Sequence, residues 1–147
     1  MDKTKEALEY FRNKFNCSQS VLTPFGTEFN FSADMCLKIA TAFGGGMGRQ
    51  QLTCGAVTGA IMAIGLKYGK GIKDTEEKKQ LTYSKTREFF EEFRKINGST
   101  DCRELLDGLN MTDPEDHKII MERNLFGTKC EEYVASAVKI TERILKD

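Results

Sequence analysis

Residues 51–68 constrain the fold more than any other part of the chain, because they are apolar on nearly every side of a helix. A helix of that kind is stable in water only when most of its surface is buried. Gly55, Gly59 and Ala63 recur at i, i+4 and i+8 and form a face without bulky side chains, so a neighbouring helix can approach closely. We therefore expect a compact multi-helix bundle around this buried central helix.

The rest of the chain also has helical periodicity and contains no convincing pair of strands. Glycine marks most breaks between periodic segments, and Pro24 with Gly26 is expected to end the second helix. Flanking helices are predicted over residues 3–15, 17–23, 33–43, 75–96, 101–106, 114–125 and 129–145. At 147 residues the chain has the usual length of one domain. The sequence thus predicts an all-α fold in a single domain, residues 1–147.

Composition argues against several classes of function. Lys+Arg and Asp+Glu both number 22, so no charge excess indicates a nucleic-acid partner. The longest apolar stretch, Leu52 to Leu66, falls short of the ~20 residues that a membrane-spanning helix needs. The first residues contain no continuous apolar run, so no secretory signal is expected and a cytoplasmic location is predicted.

Five cysteines are present, and their odd number means that they cannot all pair within one chain. Four of them lie at or near a predicted helix start: Cys17, Cys54, Cys102 and Cys130. Three of these starts carry a capping pair three residues apart: Asn16 with Gln19, Asp101 with Glu104, and Thr128 with Glu131. Free backbone N–H groups and the helix dipole favour an anion there, and cysteine supplies one as its thiolate.

If these helix starts gather at one end of the bundle, the four cysteines could act together in two ways. They could ligate a soft metal or an iron–sulfur cluster, or they could be catalytic in one or two redox dithiols. The alternative is that cysteine only packs there as a small apolar residue. Cys36 differs because it lies mid-helix on an apolar stripe with Ile39 and Phe43, and we interpret it as a core residue.

Two other motifs give weaker indications. Gly44, Gly46 and Gly48 with Arg49 suggest a phosphate cradle, but no strand precedes them, so a helix C-cap and tight turn is the favoured interpretation. His117 is the only histidine and lies on a charged predicted helix, which favours a structural residue over a ligand.

The glycine-rich run and the cysteine that follows it carry a resemblance to a known family. Residues 43–49 read Phe-Gly-Gly-Gly-Met-Gly-Arg, and residues 54–59 read Cys-Gly-Ala-Val-Thr-Gly. Together they resemble the signature of the C-GCAxxG-C-C family of redox-active proteins. The run 16–22 resembles that family's first cysteine segment, and the segments at Cys102 and Cys130 resemble its third and fourth.

This resemblance extends from about Phe15 to Ile144. The family name writes Gly-Cys-Ala where this chain has Cys54-Gly55-Ala56, and we take both as forms of one pattern. Cys36 is an addition to the family's four cysteines. What the resemblance implies is a redox-active cysteine protein, with a bound metal or cluster as a candidate cofactor.

Three hypotheses follow for the function. The first is a redox or metal-binding protein whose site draws on Cys17, Cys54, Cys102 and Cys130. In it, Gly55 and Gly59 belong to the cofactor-binding region because they allow close approach around Cys54. The second is a thiol–disulfide oxidoreductase, and the third is a helical interaction module whose cysteines only pack. A redox partner is expected for the first two, and a homodimer is left open.

Overall fold

The computed structural model describes residues 2–146, so Met1 and Asp147 of the predicted domain lie outside the described residues. Within that range the chain is helical, with no β-strand, as the predicted all-α class requires. None of these helices is long and apolar enough to cross a membrane. The helices are α1 (Lys3–Arg12), α2 (Cys17–Glu28), α3 (Ala33–Ala40), α4 (Gly44–Met47), α5 (Gly55–Tyr68), α6 (Glu76–Asn97), α7 (Cys102–Leu105), α8 (Pro114–Glu122) and α9 (Leu125–Lys146), with a 3₁₀ turn at Thr41–Phe43.

Helix α5 is the buried central helix that its apolar surface predicts, and it packs against α2, α6 and α9. Glycine sets the distance to α2. A Cβ atom at Gly59 would lie 2.6 Å from the carbonyl oxygen of Ser18, and one at Gly55 would lie 3.0 Å from the amide nitrogen of Ser18. Both glycines are therefore packing contacts that let two helix backbones touch.

Helices α6 and α9 contact α5 and each other. Phe89 and Phe93 of α6 are fully buried and stack with their ring centroids 5.8 Å apart. The ring of Phe93 also packs on Tyr133 of α9, with a centroid separation of 6.2 Å. The buried face of α9 includes the four residues that the 3.6-residue period predicts, namely Val134, Ala137, Thr141 and Ile144.

The second helix is longer than predicted. The expectation that Pro24 and Gly26 end it is wrong, because α2 continues past both. Proline inside a helix costs about 3 kcal/mol. The neighbouring side chains of Val21, Leu22 and Phe25 are almost fully buried, and burial contributes about 1.5–3 kcal/mol for each. Packing of this segment therefore outweighs the cost of the proline.

The last helix begins earlier than predicted. We expected a start at Lys129 with Thr128 and Glu131 as its capping pair, and this is wrong because α9 begins at Leu125. The hydroxyl of Thr128 instead donates to the carbonyl of Asn124 at 2.9 Å, and Glu131 forms an ion pair with α1. Leu125 is 5% exposed, so its burial anchors the earlier start.

The capping pair at α7 is present only in part. The side chain of Asp101 accepts from the amides of Arg103 and Glu104, as predicted. The amide of Asp101, however, donates to the hydroxyl of Ser99 at 3.0 Å, and not to Glu104. Ser99 is nearer along the chain and takes the place of the glutamate.

Two side chains that the periodicity assigns to the core are exposed. Ile39 is 51% exposed, because α3 buries only the narrow edge formed by Cys36 and Ala40. Ile96 is 63% exposed and lies in the last turn of α6, at the edge of a shallow groove against α9.

The glycine-rich run forms the predicted tight turn, and the backbone of this turn is left-handed. Every residue from Gly45 to Arg49 has a positive φ, between 60° and 70°. This left-handed conformation costs roughly 1–2 kcal/mol for a residue with a side chain, and glycine avoids that cost. Because three of these five residues are glycine, only Met47 and Arg49 carry the conformational strain of the turn.

Candidate functional site

One cavity of about 480 Å³ brings the four cysteines of the sequence prediction together. Cys17, Cys54, Cys102 and Cys130 all line it, although they belong to α2, the start of α5, α7 and α9. Most of the remaining wall is apolar: Phe11, Phe15, Leu105, Leu106, Met111 and Phe126. A cavity of this size falls within the range of small-molecule sites, so the four thiols can meet one bound molecule.

Cys54 and Cys102 are held side by side by a short backbone pairing. Thr53 and Asp101 form an isolated antiparallel bridge. The amide of each cysteine donates to the carbonyl oxygen two residues before the other, at 2.8 Å from Cys54 and 2.7 Å from Cys102. Helices α5 and α7 therefore begin at one point, and both cysteines are directed into the cavity wall.

Cys17 is the first residue of α2, where Asn16 and Gln19 form the predicted capping box. The Asn16 side chain accepts from the Gln19 amide at 3.0 Å, and the Gln19 side chain accepts from the Asn16 amide at 2.8 Å. A Cβ atom at Gly55 would lie 3.1 Å from the Cβ of Cys17. The close approach of α2 and α5 thus positions Cys17 beside the start of α5.

Cys130 lies in the second turn of α9, and its thiol has a polar interaction with the neighbouring thiol of Cys17 in the cavity. This interaction lowers the pKa of Cys130 from its ordinary value of 9.0. The same interaction, with burial, raises the pKa of Cys17 well above that value. The first proton that the pair loses therefore comes from Cys130.

Burial sets the pKa of the other two thiols. Loss of water raises the pKa of Cys54 to about 12 and that of Cys102 to about 12. The expectation that a helix start lowers the thiol pKa is therefore wrong for Cys17, Cys54 and Cys102. The dipole acts only within the first turn, and desolvation of the thiolate outweighs it here.

Cys36 lies apart from the cavity, as its mid-helix position predicts. It is 3% exposed and belongs to the main hydrophobic core. Its Sγ packs against Gly26, where any side chain would clash with the sulfur. Burial raises the pKa of this thiol too, so Cys36 is a core residue.

The left-handed turn supports the cavity from one side. A Cβ atom at Gly46 would lie 2.8 Å from the Cβ of Cys102. Gln51, which follows the turn, holds the loop opposite: its Nε2 donates to the carbonyl of Leu109 and its Oε1 accepts from the amide of Met111, both at 2.8 Å. Gly46 therefore lets the turn contact Cys102, and Gln51 connects the same turn to the loop that carries Met111.

Four charged side chains also line the cavity: Arg12, Lys14, Arg49 and Glu131. Arg12 donates to both carboxylate oxygens of Glu131, at 2.8 and 3.1 Å. Lys14 and Arg49 are exposed, and neither has an ion-pair partner in the described part of the chain. The sequence singled out Arg49, and Glu131 only as a capping residue, because nothing in a single sequence relates the end of α1 to α9.

Tyr133 is another lining residue that the sequence did not mark. Its hydroxyl donates to the carbonyl of Leu105 at 2.7 Å, and burial raises its pKa to about 12. This bond ties α9 to the end of α7. Tyr133 thus helps to hold Cys130 and Cys102 in one cavity.

Four thiols are a donor set that soft metals accept. Within residues 2–146, no three His, Cys, Asp or Glu side chains are grouped so that they could hold a metal ion. The four thiols, as they lie in this structure, are therefore not arranged as a preformed metal site.

Comparison with known proteins identifies the family of this chain. The family model described as "Putative redox-active protein (C_GCAxxG_C_C)" matches residues 15–144, which include the four cavity cysteines. A protein of Archaeoglobus fulgidus described only as "Uncharacterized protein" is 28% identical over 150 residues, which cover 97% of this chain and 93% of its own. No solved structure matches the chain. The chain therefore belongs to the C_GCAxxG_C_C family, whose description names redox activity.

Proposed function

We propose that the protein is a thiol–disulfide oxidoreductase in which Cys17 and Cys130 form the redox pair. The observation that carries this proposal is that the two thiols line one cavity, where each shifts the pKa of the other. Cys130 is the nucleophile, because the thiolate is the attacking form and its pKa is the one that is lowered. Cys17 is the resolving thiol.

The reaction with a substrate disulfide R–S–S–R′ has two steps. The Cys130 thiolate attacks one sulfur, so a Cys130–S–S–R′ bond forms and the R–S⁻ thiolate leaves. Cys17 then attacks the Cys130 sulfur, its proton passes to the departing R′–S⁻, and a Cys17–Cys130 disulfide forms. Two electrons have moved from the cysteine pair to the substrate, which leaves as two thiols.

A dithiol donor completes the cycle. It reduces the Cys17–Cys130 disulfide to two thiols and is itself oxidised to a disulfide. This donor is the redox partner expected from the sequence, and it is supplied in a reducing compartment such as the cytoplasm. Cys54 and Cys102 remain protonated in the cavity wall, because their pKa values of about 12 keep them neutral at cellular pH.

Trapping the mixed disulfide tests this assignment. The Cys17→Ser and Cys130→Ser variants are treated with bis(2-hydroxyethyl) disulfide, and the intact mass of each is measured. Cys17→Ser should retain one mercaptoethanol adduct on Cys130, because the nucleophile is present and the resolving thiol is absent. Cys130→Ser should react far more slowly, because the remaining thiols have raised pKa values.

Cys36→Ser is the matched control, since Cys36 lies in the core, and it should form the internal disulfide as the parent does. An adduct that accumulates on Cys54 or Cys102 instead would overturn the assignment of the pair. Metal or cluster binding by the four cysteines stays a prediction, which metal analysis and an absorption spectrum of anaerobically purified protein test.

A further inference from the structure

The charges around the cavity are unbalanced. Arg12 and Glu131 neutralise each other through two hydrogen bonds. Lys14 and Arg49 remain, with no carboxylate from the described residues against either. Both lie in left-handed backbone, with φ values of 73° and 65°. The two cations therefore come from separate turns, one after α1 and one after α4, that meet at the same cavity.

The burial of the thiols limits what can reach them. Cys102 and Cys130 are each 8% exposed, and Cys54 is 4% exposed. A disulfide on the folded surface of another protein could not approach sulfurs this deep without large rearrangement. A molecule small enough to enter a cavity of about 480 Å³ could approach them. The apolar walls suit a hydrocarbon or sulfur-containing middle section, and the exposed cations suit an anionic end.

We infer that the substrate is a low-molecular-weight disulfide that carries carboxylates, and that Lys14 and Arg49 bind those carboxylates. This inference rests on the proposed function and names its substrate class. The anionic disulfide enters with its sulfurs toward Cys130 and its carboxylate toward the two cations. It is reduced to two carboxylate thiols, while Cys17 and Cys130 lose two electrons and become a disulfide.

Three reagents with the same disulfide chemistry and different charge test this inference. They are 3,3′-dithiodipropionate, bis(2-hydroxyethyl) disulfide and cystamine, which are anionic, neutral and cationic. The rate of Cys17–Cys130 disulfide formation should be highest with the anion and lowest with the cation. A single exposed ion pair contributes a factor of about two to five, so Lys14→Gln and Arg49→Gln should each lower the anion-to-neutral ratio by about that factor.

Lys73→Gln is the matched control, because it removes one exposed lysine that does not line the cavity. It should leave the ratio unchanged. Raising the ionic strength should lower the ratio in the parent and have little effect in the Lys14→Gln, Arg49→Gln double variant. An equal ratio in the double variant and in Lys73→Gln would overturn the inference.

Binding without chemistry separates this inference from the proposed function. Suberate has the length of dithiodipropionate but no disulfide, and it should protect Cys130 from iodoacetamide in the parent and not in the double variant. If bis(2-hydroxyethyl) disulfide oxidises the pair but the anion has no advantage and suberate gives no protection, the substrate class is wrong and the oxidoreductase stands. If no reagent oxidises the pair, the proposed function fails, and the substrate inference fails with it.

Discussion

The thiols of Cys17 and Cys130 meet in the cavity, where the first residue of α2 and the second turn of the last helix come together. The pKa shift of each thiol arises from the other thiol and from burial, and not from the position of the cysteine in its own helix. Cys17 has the helix-start position that ordinarily favours a thiolate, yet Cys130 has the lowered pKa. The relationship between the two therefore decides which cysteine is reactive.

Removal of the Cys17 thiol should reduce the reactivity of Cys130. In Cys17→Ala the pKa of Cys130 should rise, because the interaction that lowers it is lost and burial remains. The fraction of Cys130 present as thiolate at neutral pH should then fall. Alkylation by iodoacetamide at pH 6–7, followed by peptide mass spectrometry, measures this change.

Cys17→Ser is the control for that experiment, because its hydroxyl can still make a polar interaction with Cys130. It should preserve most of the reactivity of Cys130. In the parent, Cys130 should be modified before Cys36, whose pKa is raised by burial. Equal and slow modification of Cys130 in all three proteins would show that the interaction with Cys17 does not activate it.

Gly46→Ala should destabilise the protein and disturb Cys102. Its Cβ atom would lie 2.8 Å from the Cβ of Cys102 and 2.7 Å from the Cα of Gln51. Overpacking costs about 1–3 kcal/mol, and the left-handed φ of 66° adds about 1–2 kcal/mol of strain. Denaturant midpoints and the accessibility of Cys102 to a thiol reagent measure both effects.

Gly48→Ala separates strain from overpacking. Gly48 has a φ of 60° but no atom within 4 Å of an added Cβ, so only the strain of about 1–2 kcal/mol applies. Cys102 should then react as in the parent. If Gly46→Ala and Gly48→Ala lower the free energy of unfolding by the same amount, the contact between the turn and Cys102 does not contribute to stability.

Gly59→Ala and Gly65→Ala should change stability in opposite directions, although both glycines lie in α5. At Gly59 the new methyl group would lie 2.6 Å from the carbonyl oxygen of Ser18, so α2 must move and about 1–3 kcal/mol is lost. At Gly65 nothing lies within 4 Å, so alanine should stabilise the helix by about 0.5–1 kcal/mol. Thermal or denaturant unfolding decides this, and equal effects would contradict the packing role of Gly59.

The sequence predicted the central helix well because its evidence is local. An apolar surface and glycines at i and i+4 leave few alternatives to burial against another helix, and α5 is buried with Gly59 against α2 as expected. The helix begins at Gly55, however, and not at residue 51 as predicted. The start of α9 was missed because it depends on the burial of Leu125 and not on the cap-like Thr128. The continuation of α2 through Pro24 was missed for the same reason, since packing outweighed a local signal.

The membership of the site was easier to predict than its chemistry. The four cysteines could be grouped because each was near a predicted helix start, and all four line one cavity. Their acidities could not be derived, because the burial of Cys54 and the interaction of Cys17 with Cys130 are tertiary properties. Likewise, Lys14 was not singled out, because nothing near it in sequence indicates that it lines the same cavity as Cys130.

The stability of the protein should fall at high pH partly because of Cys54. Its pKa is about 12 in the folded state and 9.0 ordinarily, so between these values the unfolded chain binds fewer protons than the folded one. The free energy of unfolding then decreases as pH rises, by up to about 1.4 kcal/mol per pH unit for one group. Below pH 9 Cys54 is protonated in both the folded and the unfolded chain, so its contribution to the free energy of unfolding is fully retained there.

Cys54→Ala should therefore flatten the dependence of stability on pH between about 9 and 12. Val57→Ala is the control, because it removes buried volume from the same helix without removing a titrating group. It should lower stability by a similar amount at every pH and keep the parent slope. Identical slopes in the parent and in Cys54→Ala would mean that Cys54 does not titrate as its burial requires.

Peptide mapping of the oxidised protein shows which two cysteines form the disulfide. The fully reduced parent is treated with one equivalent of bis(2-hydroxyethyl) disulfide, quenched with acid, alkylated and digested without reductant. We expect one main cross-linked peptide, which joins Cys17 to Cys130, with Cys36, Cys54 and Cys102 alkylated. A main cross-link between Cys54 and Cys102, or no intramolecular cross-link, would contradict the assignment of Cys17 and Cys130 as the redox pair.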